Sequence, residues 1–357
     1  AASRMRQAEQ PVGADAGMEP RRVDALRKVD SAPAAVPGGD GGGVPVPSDE
    51  PRDHRSRKPS CELRMAELSD FSLQGVLGKG EFGTVMMAIK HDTQKVYAIK
   101  VLQKDNIVHR GGRSVDQAVT EKQVLQDIST NGGHPFIVSL HFAFQDVGHL
   151  YLVLDFVGGG DLYTLLEVKK QLPEHWVQIY AGEIVLALLH VHRLGIIFRD
   201  LKPENVMVEM DGHLKLTDFG LAKLKQRNCV TRASICGTPE YLAPEVLKGK
   251  PFDEAIDWWT LGCITYEMLV GQSPFKSEDL ARMVQRITSE PPKPPPPRFC
   301  ISAAALALID RLLHIDAAMR LGSGPTGEAD VRSHPFFAGE GGEGGEGGEG
   351  GEGGEGG

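Results

Sequence analysis

The amino-acid sequence predicts an α+β fold of two lobes, a small antiparallel sheet with one main helix followed by a larger helical lobe. Three observations carry this expectation. Within residues 71–337, alternating apolar segments crowd the first part, amphipathic segments crowd the second, and a glycine-rich stretch opens the whole. Residues 71–79 and 83–89 alternate like two strands about a glycine turn, and 95–102 supply a third. A helix is predicted from Ser114, where Ser114 to Gln117 reads as a capping box and Ala118, Leu125 and Ile128 mark an apolar face. Residues 137–144 and 150–156 read as further strands. After Gly160 the pattern turns mainly helical, with long amphipathic segments at 176–194, 255–271 and 303–313.

Composition bounds the function. The chain has 357 residues and 41% apolar content, enough for two lobes with real cores. A formal charge of −9 argues against nucleic acid as the main partner, although six of the 48 acidic residues lie in a terminal Gly-Gly-Glu repeat. Five cysteines, Cys61, Cys229, Cys236, Cys263 and Cys300, show no Cys-x-x-Cys spacing. They suit a reducing compartment, the cytoplasm or also the nucleus. No apolar run reaches the length of a membrane span, and no signal-peptide pattern opens the chain. Residues 1–65 are rich in Gly, Pro, Ala and mixed charge and are expected to be disordered, because they bury too little to offset ordering entropy. A folded domain is expected at 66–337, its small lobe at about 71–156 and its large lobe at about 157–337, with a solvated low-complexity tail at 338–357. The first residue is Ala1, as in a fragment.

The chemistry concentrates between Phe198 and Gly220. Phe-Arg-Asp-Leu-Lys-Pro-Glu-Asn (198–205) supplies an acid, a base and an amide, and Asp218-Phe219-Gly220 supplies another acid on a tight turn. Carboxylate and amide oxygens suit Mg²⁺, and an aspartate free of metal can accept the proton of an attacking hydroxyl. Residues 78–85, Gly78-Lys79-Gly80-Glu81-Phe82-Gly83-Thr84-Val85, fit G-x-G-x-x-G-x-V, whose glycines let backbone N–H groups approach phosphate oxygens. Alone, that pattern also fits a hairpin turn or a dinucleotide loop, but a dinucleotide loop opens a helix and here a strand pattern follows. Lys100 sits mid-strand among apolar residues and needs a counter-charge. Glu121 interrupts the apolar stripe of the predicted helix, so pairing it with Lys100 accounts for both and aims the ammonium at phosphate.

With these motifs in view, residues 71–337 resemble a eukaryotic protein kinase. Lys202, two residues after Asp200, is the serine/threonine form; residues 236–245 with Asp257-Trp258-Trp259 are similar to the AGC group. Residues 320–325 and 334–337 resemble its ribosomal-protein kinase branch, with Akt-like kinases next. The resemblance implies ATP and Mg²⁺ as cofactors and a protein serine/threonine kinase activity. It makes Asp200 the acceptor of the hydroxyl proton, Lys202 the neutraliser of the moving phosphoryl group, and Asn205 and Asp218 the magnesium ligands. Adenine would lie between Leu77, Val85 and Ala98 above and Met207 below, against hinge backbone at Asp155 to Val157 with Leu154 as gatekeeper. Asp161 and Thr217 complete the implied nucleotide site. Glu245 would pair with Arg320, and Asp257 would brace the catalytic-loop backbone.

Substrate and control follow from charge. Asp161, Glu204 and Glu267 match positions where related kinases meet arginines upstream of the phosphorylated residue, which implies protein substrates with basic motifs. Local salt bridging is the alternative for each. Ser234 matches the activating phosphosite and implies an upstream kinase, with Lys223 and Arg199 placed to meet the phosphate and Thr231 as a competing acceptor. Gln117 and Phe198 replace the family's usual histidine and its histidine or tyrosine. Gly-Gly-Glu repeats begin within three residues of Phe337, where the family's regulatory tail would continue. That feature suggests truncation, docking to another protein, or a kinase-like scaffold with little activity. His190 and His192 are expected to pack or cap rather than bind metal, 291–297 to form a stiff proline connector, and the protein to be a monomer.

Overall fold

The computed structural model describes residues 66–80, 83–109, 112–224 and 238–338. Predicted features at 1–65, Glu81, Phe82, Cys229, Thr231, Ser234, Cys236 and 339–357 lie outside the described residues.

Period-2 patterning builds the small lobe. Strands β1 (Phe71–Lys79), β2 (Gly83–Lys90) and β3 (Val96–Gln103) are followed by helices α1 (Lys104–His109) and α2 (Gly112–Thr130), then by β4 (Leu140–Gln145) and β5 (His149–Asp155). The five strands form one antiparallel sheet in the order β1-β2-β3-β5-β4. Alternation along β3 sends Tyr97 and Ile99 to an outer cluster with Phe71, Ala88, Tyr151 and Val153, while Ala98 and Lys100 turn to the cleft. The inner face of α2 buries Val124, Leu125 and Ile128, and Glu121 with them.

Two expectations here need correction. The main helix begins at Gly112, so Ser114 lies inside its first turn, buried, and does not open a capping box. The predicted strand at 137–144 starts only at Leu140, because Ile137 makes a single parallel bridge to Leu216 in the other lobe. Tertiary contact takes it out of the sheet.

The large lobe is helical around small ribbons. Its elements are α3 (Leu162–Lys169), α4 (Glu174–Arg193), β6 (Ile196–Ile197), β7 (Val206–Val208), β8 (Leu214–Leu216), β9 (Lys223–Leu224), α5 (Pro244–Leu247), α6 (Ala255–Val270), α7 (Leu280–Ser289), α8 (Ala303–Leu312) and α9 (Gly327–Arg332). α6 is apolar on all sides and nearly every residue in it is buried, so it forms the lobe's axis. It ends at Gly271, whose φ of 81° is the left-handed cap a glycine takes most cheaply. Residues 291–296 connect α7 to a 3₁₀ turn without regular structure, as a proline run should. No helix among the described residues is long and apolar enough to cross a membrane.

One buried charge staples this lobe. The Arg320 side chain is fully buried and donates to Glu245 through both amino groups at 2.7 and 3.0 Å, and also to the carbonyls of Ala255 and His314. Its guanidinium lies 5.2 Å over the Trp259 ring. Removing one partner of such a pair strands the other charge in a dry site. Glu245→Ala is therefore expected to lower the unfolding free energy by about 3 kcal/mol. Urea denaturation checks this; an unchanged midpoint at unchanged slope would contradict the staple.

Candidate active site

The sheet and the helical lobe enclose a cleft of about 780 Å³, a size suited to a cofactor-sized ligand. Its roof begins at the glycine-rich turn, where Gly80 N–H donates to Gly83 O at 2.9 Å. A Cβ on Gly83 would stand 1.9 Å from Val101 O, so the strand's close approach admits only glycine there. Leu77, Gly78, Lys79, Gly80, Gly83, Val85, Ala98 and Lys100 line the roof, and Leu154, Asp155 and Val157 line the back. Asp161, Asp200, Lys202, Glu204, Asn205, Met207, Thr217 and Asp218 line the floor. Thr84 does not face the cleft, because strand alternation turns it away from the side taken by Gly83 and Val85. Glu81 and Phe82 lie outside the described residues.

A buried ion pair joins three elements at the rear. Lys100 Nζ on β3 lies 2.6 Å from Glu121 Oε1 on α2 and 3.2 Å from Asp218 Oδ1. Burial alone would lower the lysine, yet the charges of Glu121 and Asp218 outweigh it and hold the ammonium above the usual lysine value. Asp218 sits at φ 62°, a left-handed conformation that aspartate tolerates better than most side chains. Burial would raise its carboxyl, but the charge and hydrogen bond of Lys100 and the Gly220 N–H keep it below the ordinary value. Phe219 is buried edge-on against Phe198 at 4.9 Å, which anchors the turn that presents Asp218. The phenyl ring at position 198 preserves packing without a polar tip.

The floor is held from below by Asp257. Its two oxygens accept the backbone N–H groups of Phe198 and Arg199 at 2.9 and 2.8 Å. His192 Nε2 lies 2.7 Å from the same Asp257 Oδ2. His192 is thus a brace for the loop, a role its helix-end position did not reveal, because Asp257 is 65 residues away in sequence. On that loop, Asp200 Oδ2 accepts Lys202 Nζ at 2.9 Å and Asn205 Nδ2 at 2.8 Å. Burial raises the Asp200 carboxyl above its ordinary value, against the pull of Lys202 and Asn205. A buried carboxylate of raised basicity that lines the cleft is equipped to take a proton.

Asn205 and Asp218 fit a magnesium ion. The Asn205 amide nitrogen is spent on Asp200, which leaves its carbonyl oxygen as acceptor, and Asp218 Oδ2 has no partner among the described residues. Two hard oxygen donors beside a phosphate-sized space are what Mg²⁺ takes from protein, with water and phosphate supplying the rest.

The acidic residues expected to meet substrate separate into two places. Asp161 caps α3, accepting Thr164 N–H at 2.6 Å, and with exposed Glu204 it borders the cleft. Glu267 lies outside the cleft, where its Oε2 accepts the Tyr241 hydroxyl at 2.7 Å. Burial, with Glu240 and Glu204 nearby, pushes its carboxyl up to about 7. Glu240 joins the same electrostatic neighbourhood and was not anticipated, although it lies within the segment 236–245 that carried the family resemblance.

Residues 71–337 match the protein kinase domain family. The chain is 46% identical over 278 residues to "Protein kinase 2" of Dictyostelium discoideum, covering 78% of this chain and 56% of that protein. It is 42% identical over 273 residues to "Serine/threonine-protein kinase Sgk2" of Homo sapiens, 76% of this chain and 72% of that protein. It is 44% identical over 281 residues to "Ribosomal protein S6 kinase alpha-4" of Homo sapiens, 76% and 36% respectively. The chain spans a little over half the length of several curated relatives it matches.

Glu267 yields a pH prediction. Its folded value of about 7 stands above the ordinary 4.5, so the folded state holds the proton more tightly than the unfolded chain. The stability of the wild-type protein relative to Glu267→Gln should therefore fall as pH rises from 4.5 to about 7, then level off. Urea unfolding at stepped pH measures the difference, and a flat difference would contradict the buried carboxyl.

Proposed function

Because the chain belongs to the protein kinase family, in its AGC serine/threonine group, we propose that it transfers the γ-phosphoryl group of ATP to serine or threonine hydroxyls of protein substrates with upstream arginines. The observation that carries this reading is the convergence of Lys100, Asp200, Lys202, Asn205 and Asp218 on one cleft. In the proposed reaction, Asp200 orients the substrate hydroxyl and accepts its proton as the oxygen bonds to phosphorus and the bond to the ADP oxygen breaks. Lys202, tied to Asp200, offsets charge on the transferring group. Lys100, held by Glu121, meets the phosphates of the bound nucleotide. Asn205 and Asp218 would hold Mg²⁺, which when bound neutralises charge between the phosphates. The apolar floor and roof at Met207, Val85 and Ala98 would exclude water from adenine.

Arginine preference rests on Asp161, Glu204 and Glu267, to which Glu240 is added. Asp161 and Glu204 border the cleft, and Glu240 and Glu267 lie beyond it in the electrostatic neighbourhood of Glu204. Acidic groups so placed favour a planar guanidinium. Control is proposed at Ser234, outside the described residues, with Lys223 and Arg199 as the cations that would order a phosphorylated segment. The upstream enzyme would be another kinase.

Phosphate transfer from Mg-ATP to an arginine-containing serine peptide tests the reading. Asp200→Asn should lower kcat by about 10²- to 10⁴-fold, and alanine in place of the upstream arginines should raise KM for the peptide. No transfer from Ser234-phosphorylated protein would favour a kinase-like scaffold instead. Ser234→Ala should strongly lower activity; unchanged turnover of the purified variant would remove Ser234 from the control scheme.

A further inference from the structure

The hinge between the lobes is held from behind by charges that the phosphate-transfer chemistry does not use. Asp155 ends β5 and lines the back of the cleft. Its Oδ1 lies 2.7 Å from His141 Nε2, and its Oδ2 accepts Ser139 N–H at 3.0 Å and Lys215 Nζ at 2.9 Å. Asp155 N–H in turn donates to Ser139 O at 3.2 Å. Ser139 and His141 belong to the small lobe, whereas Lys215 rises from β8 of the large lobe, so one carboxylate bridges both. The three side chains are largely buried, with 15% of Asp155, 20% of Lys215 and 26% of His141 exposed. Tyr97 closes the group, edge-on to His141 at 5.1 Å. Glu209 gives Lys215 a second, longer contact at 3.3 Å.

Burial would push the Asp155 carboxyl up, yet the bonds from His141, Lys215 and Ser139 hold it well below the usual range. The aspartate is thus a fixed charge at the point where the chain turns from sheet to linker. Removing one donor would leave a largely buried carboxylate short of a partner, free to pull the hinge backbone toward water.

We propose that Lys215 is a positioning residue for nucleotide binding. Through Asp155 it fixes the hinge backbone against which the adenine edge would lie, an assignment that rests on the nucleotide reading of the cleft. Lys215 itself does not face the cleft. Its action would therefore appear in affinity for nucleotide rather than in the transfer step.

The experiment compares Lys215→Met, Lys215→Arg, Asp155→Asn and the Lys215→Met/Asp155→Asn double variant with the wild-type chain. Steady-state kinetics in Mg-ATP is paired with amide hydrogen exchange of the nucleotide-free protein. Lys215→Met should raise KM for ATP about three- to tenfold with kcat changed less than about twofold. It should also speed exchange at the Asp155 amide, which donates to Ser139 O. Lys215→Arg should recover both readouts, and the double variant should be no worse than Asp155→Asn alone, since both act through one contact. An unchanged KM, or an unchanged hinge exchange rate, overturns the proposal, as does a fall in kcat alone. If the wild-type chain bound no Mg-ATP, the nucleotide reading would fall and this assignment with it. Binding by wild type with equal affinity in Lys215→Met overturns this assignment alone.

Discussion

The ammonium of Lys100 constrains most of the architecture around the cleft. A lysine placed mid-strand in an apolar sheet cannot stay buried alone, because desolvation of an isolated charge costs far more than a domain's net stability. Glu121 answers it from α2 and Asp218 from the turn before β9. The helix must therefore dock close to the sheet, and the Asp218 turn must face the same point. One unfavourable burial is relieved only when strand, helix and large lobe are in register. A charge pair that adds little net stability can still specify a single arrangement in this way.

The large lobe answers with a second fixed charge. Asp257, fully buried in α6, spends both oxygens on the backbone of the loop that carries Asp200, with His192 as its third partner. A loop of this kind would otherwise pay its ordering entropy on every encounter with substrate. Bonding its backbone from a helix at the centre of the core makes the position of Asp200 a property of the fold. The left-handed Arg199 next to it, at φ 71°, is held by the same anchor.

The hinge extends the same logic between lobes. Asp155 is bonded from the sheet by Ser139 and His141 and from the ribbon by Lys215. Three separate carboxylates, Glu121, Asp257 and Asp155, thus hold the roof, floor and back of one cleft. Each is paired by donors from distant parts of the chain, and apolar packing fills the space between.

Local pattern and chemical oddity were legible in the sequence. Strand alternation announced the sheet, amphipathic periodicity announced α4 and α8, and a lysine and a glutamate stranded on apolar faces announced their own pairing. α6 stands where a helix was expected but is apolar on all sides rather than amphipathic. Element starts were less legible. The helix expected to open at Ser114 begins two residues earlier, at Gly112, and Ile137 was drawn out of its strand by Leu216. Fold class and the residue types that meet in the cleft could be read from the chain, because periodicity and unpaired charge are local properties. For His192, Lys215 and the Tyr241 hydroxyl, packing alone settled which carboxylate each would meet. His192 with Asp257, Lys215 with Asp155 and Glu267 with Tyr241 are joined across tens of residues. Such pairings follow from how the elements pack, and no spacing along the chain encodes them.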